Sequence, residues 1–394
     1  MRMNKGNVSK FMVIILILMG AFGVMGGGLV APGLPTIGAA FDAPEELIGM
    51  VLSLYTLSAA ISLPIIGYLI DSIGRRKVGI ACLLIDGGTG LAIMFAPNFF
   101  LLLLLRFIQG IGIAGLIPVV MTVFGDLFSG DKRLQLMGYL SGAISVAAVI
   151  IPFIGGTLAS IDWRFVFAVY GFSIFLAVFL LFNLPETRSK QELIESEFVT
   201  PFEYVSSLFV TLKIKKIRNI MIHSFALYFL LYALVTYLPI YLIQTHGFDE
   251  LFSGLALSGQ AVFSALLASR ASFIADHLNW RKRAALGFAL ISASFLMLPY
   301  WSKGSYLICF SFIIYGLGMG LVSPTIYNRV TKLAPSELRG AVISVFNTLK
   351  YIGMTAAPIL IGLSLVFTNL NIVFIAVGVL SALWASITFL SDLR

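Results

Sequence analysis

The chain has 394 residues, 59% hydrophobic and only 11% charged, with a mean hydropathy of +1.00. A soluble protein of this length needs a charged surface that this composition does not supply, which excludes a water-soluble globular class. The net charge of +8 would point to nucleic acid in a soluble chain, but its placement here speaks for membrane topology and no nucleic-acid partner is expected.

The apolar residues fall in runs of about 20, the length of helix that crosses a hydrocarbon core. The first run covers roughly Phe11 to Val30 and continues through Pro32 and Pro35. Its basic start, Arg2, Lys5 and Lys10, is also how a signal peptide begins, yet eleven further runs follow, so a retained helix is expected. Those runs lie at 47–70, 78–96, 101–124, 134–157, 164–183, 220–243, 251–274, 284–301, 305–327, 340–363 and 369–390, giving twelve spanning helices. Cys82 and Cys309 sit inside such runs, read as small hydrophobes, and predict no disulfide.

The connecting segments set an orientation. Arg2, Lys5, Lys10, Arg75, Arg76, Lys77, Lys132, Arg133, the basic residues from Arg188 to Arg218, then Arg281, Lys282, Arg283, Arg329, Lys332, Arg339 and Arg394 fall on one side; Arg164 and Lys303 fall on the other. Short loops rich in Lys and Arg stay inside, so both termini are expected in the cytoplasm, with the basic side facing anionic inner-leaflet lipid. The longest polar stretch, from about Pro185 to Arg218, follows the sixth run and divides the chain into residues 1–184, a cytoplasmic linker at 185–218, and residues 219–394. Within it, Phe202 to Leu212 is either a surface-lying amphipathic helix or part of a disordered linker.

Between the second and third runs lies Gly67-Tyr68-Leu69-Ile70-Asp71-Ser72-Ile73-Gly74-Arg75-Arg76-Lys77, a short and strongly charged turn. Gly67 and Gly74 permit close helix approach and a sharp reversal. Asp71 is an acceptor beside the donors Arg75 and Arg76, and charge-assisted bonds that form in one conformation and break in another would make the turn a gate latch. The other reading is an ordinary basic loop that only sets topology. Asp276 followed by Arg281, Lys282 and Arg283 echoes the turn in the second half, with Ser272, Asn279 and Trp280 at the places of Gly67, Gly74 and Arg75. Two related six-helix halves can rock about a site at the midplane.

On these residues the chain resembles the major facilitator superfamily, whose first-half signature is Gly-x-Leu-x-Asp-x-x-Gly-Arg-[Arg/Lys]. Further matches are Arg106-Phe107-Ile108-Gln109-Gly110 for the family's Arg-x-x-Gln-Gly, Arg133 and Gly138 in the segment Leu127 to Gly138, Trp163-Arg164, and Leu184-Pro185-Glu186-Thr187. Family exporters that exchange drugs for protons carry, in helix five, Gly, eight residues, then Gly-Pro-x-x-Gly-Gly. Gly142, Pro152, Gly155 and Gly156 match, and Ile151 replaces one glycine. The resemblance implies an all-α integral membrane protein of 12 transmembrane helices in two pseudo-symmetric six-helix bundles. It also implies no enzyme, no catalytic residue, and proton-linked efflux from the plasma membrane by a monomer. Read physically, the same helix-five residues are either an exporter signature or a kinked packing helix.

Charges inside spans are candidates for function. Asp86 lies near mid-depth of the third run and Arg106 in the fourth, and the very short turn at Pro97 to Phe100 makes the two runs antiparallel neighbours. Desolvation and a neighbouring cation act on such a carboxyl in opposite senses, the makings of a proton switch; a fixed structural pair is the alternative. Residues 11 to 35 contain no Asp or Glu, unlike several drug exporters that the chain resembles. Lys350, one turn from Asn347, either meets an anionic group of a substrate or lipid, answers a carbonyl near Pro358, or reaches for water. Tyr228, Tyr232, Tyr237 and Tyr241 in the seventh run and Tyr315 and Tyr327 in the tenth offer rings and hydroxyls, either to a greasy cavity or to the membrane interface. The resemblance places Arg106, Gln109, Tyr228, Tyr232 and Tyr315 in reach of substrate.

Other chemistries find no support. The three histidines, His223, His246 and His277, lie near run ends, so no metal site is expected, and the glycine clusters Gly26-Gly27-Gly28 and Gly316-x-Gly318-x-Gly320 lack the Lys-Ser or Lys-Thr of a phosphate loop. No cofactor is expected. The favoured reading is a proton-coupled exporter of hydrophobic or amphipathic small molecules; the alternatives are a facilitator or otherwise coupled carrier of an anionic metabolite or lipid-linked substrate, and a non-transporting sensor or scaffold.

Overall fold

The computed structural model describes residues 10–187, 213–333 and 339–390, and all regular secondary structure among them is helical. The segment Phe202 to Leu212 and most of the linker lie outside the described residues. Long apolar runs become helices because a hydrocarbon interior offers no partner to backbone N–H and C=O groups, and a helix satisfies them within one segment.

In chain order the helices are α1 (Lys10–Phe22), α2 (Met25–Ala40), α3 (Glu45–Ser72), α4 (Arg75–Ile93), α5 (Phe99–Leu127), α6 (Gly130–Ala159) and α7 (Trp163–Asn183). They continue with α8 (Lys215–Gln244), α9 (Glu250–Ala268), α10 (Ala271–His277), α11 (Trp280–Tyr300), α12 (Tyr306–Leu333), α13 (Arg339–Leu365) and α14 (Leu370–Leu390). Side-chain caps start several of them: Asn98 accepts from the Leu101 amide at 2.8 Å, Asp249 from Phe252 at 2.7 Å, and Asn279 from Lys282 at 2.9 Å.

Among the described residues ten helices are long and apolar enough to span a bilayer, or eleven with the pair α1 and α2, bent by 55°, taken as one span. The remaining expected span is α4, which begins with Arg75, Arg76 and Lys77 and contains Asp86, too much charge for an apolar window. All twelve expected runs are therefore helical, and the exception in composition is the helix that carries the charged motif.

Two compact packing units emerge. One holds Met1–Gly27, Leu54–Ala148 and Arg164–Ser207; the other holds Gly28–Ser53, Val149–Trp163 and Leu208–Arg394. Inside the first, α4 packs against both α5 and α7, and inside the second, α11 packs against both α12 and α14. This shared arrangement is the structural form of the internal repeat.

The packing units do not divide at the linker, because α2, the start of α3 and the end of α6 pack in the second unit. The reason is close backbone approach. A Cβ on Gly156 would meet the Glu250 carbonyl at 2.5 Å and the Gly254 Cα at 3.0 Å, and one on Gly155 would collide with the Leu29 carbonyl. The Ser53 hydroxyl donates to the Thr355 carbonyl at 3.2 Å, and the Tyr237 hydroxyl donates to the Pro358 carbonyl at 2.8 Å beneath Gly49. Of the helix-five residues, Pro152, Gly155 and Gly156 thus lie at a tight crossing, whereas a Cβ on Gly142 would meet open space.

Overpacking such a crossing costs about 1–3 kcal/mol. Gly156→Val is expected to lower the thermal unfolding midpoint in detergent by several degrees, and Gly142→Ala to leave it unchanged.

Candidate functional site

Two polar centres lie in the first unit. The deeper one is built on Arg106 of α5, which is fully buried at 0% exposure. Its guanidinium donates to the Gln109 side-chain oxygen at 2.8 Å and to the Gly26 carbonyl at 2.9 Å, and it lies 4.2 Å from the Tyr55 ring centre. Gln109, also 0% exposed, then donates from its amide nitrogen to an Asp86 carboxyl oxygen at 3.1 Å and to the Asp86 backbone carbonyl at 3.3 Å. The second carboxyl oxygen of Asp86 accepts from the Ser173 hydroxyl of α7 at 2.7 Å.

The expected approach of Asp86 and Arg106 is therefore indirect. One glutamine amide separates the two charges, donating to one and accepting from the other, a geometry in which all four groups are satisfied without a direct ion pair. Gln109, which the resemblance placed in reach of substrate, is held here between the two charges. The glycines of the same helices make the closeness possible. A Cβ on Gly112 would meet the Cys82 carbonyl at 2.6 Å, and one on Gly87 would meet the Tyr170 carbonyl at 2.9 Å.

The second centre is the turn before α4. Gly74 has φ of 110°, a left-handed value that favours glycine, and a Cβ there would run into the Glu186 carboxylate. That carboxylate caps the start of α4, accepting from the Arg75 amide at 2.9 Å and the Arg76 amide at 3.2 Å. The Arg75 guanidinium bonds Asp126 at the end of α5 at 3.0 Å and the Ile70 carbonyl at 3.3 Å. Thr187 donates from its hydroxyl to the same Asp126 oxygen at 2.7 Å, and Arg76 reaches the Leu181 carbonyl.

Asp71, the acceptor expected to hold both arginines, lies 3.6 Å from Arg75 alone, with its side chain 71% exposed. Water competes for such a pair, and its contribution is about 0–1 kcal/mol. The stronger acceptors are Asp126 and Glu186, which the sequence reading did not select as gate residues, although Leu184-Pro185-Glu186-Thr187 was a visible motif. A Cβ on Gly67 would meet nothing within 4 Å, so the expected close approach is not made there. In the second half Asp276 is exposed and forms no ion pair among the described residues; Asn279 supplies the cap and Trp280 occupies the place of Arg75.

The tyrosines divide. Tyr315 is fully buried against Phe295, ring centres 5.8 Å apart. Tyr237 and Tyr241 are buried and hydrogen-bonded, Tyr241 donating to Asn371 at 2.7 Å, so neither is an interface anchor. Tyr228 pairs its hydroxyl with that of Tyr327 at 2.8 Å, close to Lys350 of α13, while Tyr232 and Asn347 lie on the same two helices as Tyr228 and Lys350. No group of three or more metal-binding side chains occurs among the described residues.

The model of the Major Facilitator Superfamily matches residues 16–358. The chain belongs to that superfamily. Among its relatives, the bacillibactin exporter of Bacillus subtilis is 29% identical over 348 residues, covering 85% of each chain. The class B tetracycline resistance protein of Escherichia coli is 26% identical over 362 residues, covering 88% of this chain and 87% of its own. The multi-drug resistance efflux pump PmrA of Streptococcus pneumoniae is 24% identical over 318 residues, covering 79% and 77%. In three dimensions the fold is similar to a bacterial homolog of the human lysosomal transporter Spinster, solved in an inward-facing and unoccupied conformation. The TM-score is 0.77 at 17% identity, covering 98% of this chain and 99% of that one.

This major facilitator protein is thus a multi-pass membrane transporter of small molecules and no enzyme. Its two polar centres are distinct: one lies buried within the span, and the other joins helix ends at a turn.

Deleting a partner inside the buried centre strands its neighbours, at about 1–3 kcal/mol for each buried group left unsatisfied. Gln109→Leu is expected to lower unfolding stability in detergent by about 2 kcal/mol or more. Glu186→Ala, which removes only a helix cap, is expected to cost about 1 kcal/mol in the same measurement.

Proposed function

We propose that this transporter exports hydrophobic or amphipathic small molecules in exchange for protons, by alternating access, with Asp86 as the proton carrier. The observation that carries this reading is the buried chain Ser173, Asp86, Gln109, Arg106. A carboxyl linked to a buried cation only through an amide can change its charge without tearing apart an ion pair. The Ser173 hydroxyl donates to a carboxylate and, by rotating, accepts from a carboxylic acid, so both protonation states have a partner.

The same chain gives the proton a mechanical outlet. Arg106 holds the Gly26 carbonyl, at the place where α1 and α2 meet at 55° and where the first helix passes from one packing unit to the other. When Asp86 loses its charge, Arg106 keeps the Gly26 carbonyl and the Tyr55 ring as its acceptors, which alters the grip on the bend. Arg75, Asp126 and Glu186 act as the latch between helix ends, with Asp71 and Arg76 as its outer members. Pro152, Gly155 and Gly156 form a seal that must separate for the opposite state.

The relatives named as a bacillibactin exporter and a multi-drug resistance efflux pump support export as the direction. We place the protein in the plasma membrane as a monomer with both termini in the cytoplasm, in keeping with the basic residues of its short loops. The six-helix halves 1–184 and 219–394 are the topological repeat, and the basic side contacts anionic lipid.

The test is proton movement in sealed proteoliposomes, followed with a pH dye while lipophilic cations, neutral aromatics and organic anions are added in turn. Substrate-evoked proton flux is expected in the unaltered protein and is expected to fall to background in folded Asp86→Asn. Substrate movement without proton movement would replace exchange by facilitated transport, and flux that survives Asp86→Asn would assign coupling to another group.

A further inference from the structure

Lys350 is the feature of the second unit that proton exchange leaves unused. It lies eleven residues into α13, about 16 Å along the helix from Arg339, and so near mid-depth of the span. At 100° per residue, Ile352, Ala356, Ile359 and Leu363 fall on the opposite side of the helix, and among them Ile352 and Leu363 are exposed as lipid-facing residues are. Lys350 therefore points away from the lipid-facing side and toward the bundle.

Its ammonium makes no hydrogen bond or ion pair among the described residues. Aromatic rings surround it instead: the ammonium lies 4.9 Å from the Tyr351 ring centre and 5.7 Å from that of Tyr228. Tyr228 shares a hydroxyl hydrogen bond with Tyr327 at 2.8 Å, and Phe346 stands edge-on to Tyr327 at 4.9 Å and to Tyr228 at 6.4 Å. Tyr327 is 43% exposed, so the cluster is open on one side. No Asp or Glu occurs anywhere in α8, α11, α12, α13 or α14, so these helices supply no counter-charge of their own.

An ammonium held among rings inside a membrane is stabilised by the ring faces and by any water that reaches it, and its strongest partner is an anion. The rings accept a flat apolar body, and the paired phenols donate to oxygen atoms on its edge. A lipophilic cation finds the reverse: rings that attract it and a fixed positive charge that repels it.

We propose that Lys350, with Tyr228, Tyr327, Phe346 and Tyr351, is a recognition site for aromatic compounds carrying an oxyanion, a carboxylate or an ionised phenol. Lys350 binds the oxyanion, the Tyr228 and Tyr327 hydroxyls bind its neighbouring oxygens, and the rings stack against the aromatic body. This inference names the substrate class for the export reading and rests on that reading only for the direction of movement.

Calorimetric titration of the purified full chain in detergent tests it with naphthoate and its uncharged counterpart naphthamide. The unaltered protein is expected to bind naphthoate about tenfold more tightly than naphthamide, a difference of about 1.4 kcal/mol. Lys350→Gln is expected to erase that preference with its unfolding midpoint unchanged, Lys350→Arg to keep it, and Tyr228→Phe to weaken it in part. Equal binding of the two compounds, binding of neither, or a preference that survives Lys350→Gln overturns the site. Proteoliposome flux separates this proposal from the export reading. If the Lys350-dependent preference is present but naphthoate does not move, the site stands and export fails. If naphthoate is exported equally well by Lys350→Gln, export stands and the site fails.

Discussion

A guanidinium buried completely inside a membrane span is the constraint on which the first unit is built. Arg106 cannot lose its charge, so acceptors must come to it, and the helices around α5 are arranged to bring them. The break of the first helix presents the Gly26 carbonyl, α3 presents the Tyr55 ring, and the next turn of α5 presents Gln109. Through Gln109 the demand extends to α4 and α7, which is why the helices that pack most closely in this unit are also those that share the polar chain. Small residues such as Gly87 and Gly112 are the complement of that demand, since hydrogen bonds of about 3 Å require backbones to approach.

The turn before α4 solves a different problem. A helix that starts with three basic residues places its own positive end beside them, an unfavourable superposition of like charge. Glu186 relieves it by capping the first amides, and Asp126 relieves it by pairing with Arg75. Asp126 comes from the end of α5 and Glu186 from the chain just after α7. A charge conflict local to α4 is thus converted into a tie among α4, α5 and the chain after α7.

Much of this was readable in the sequence. Run length gave the helices, including α4, because about 20 apolar residues have one stable use in this composition. Spacing gave the charged turn, and the placement of Arg106 and Asp86 inside apolar runs marked them as charges within spans. Partners across long sequence separations were harder to see. Nothing local to Glu186 says that it caps a helix 111 residues earlier, and nothing in Arg106-Phe107-Ile108-Gln109 says that the glutamine lies between two charges. The tyrosines show the same limit. Tyr315, Tyr237 and Tyr228 are alike in sequence, and only packing separates a core ring, a hydrogen-bonded seal and a neighbour of Lys350.

The assignment of Gly28–Ser53 and Val149–Trp163 to the second packing unit bears on how the protein can be assembled. A chain severed within 185–218 would look, from its repeat, like two self-sufficient halves. The first fragment would nevertheless carry the small faces of Gly49 and Gly156 and the Ser53 hydroxyl without Tyr237, Gly254 or Thr355 to cover them. Such surfaces, shaped for a backbone at van der Waals distance, are poorly filled by lipid tails. The fragments would therefore seek each other in the bilayer, and the second half would act during biogenesis as the template on which the first completes its fold.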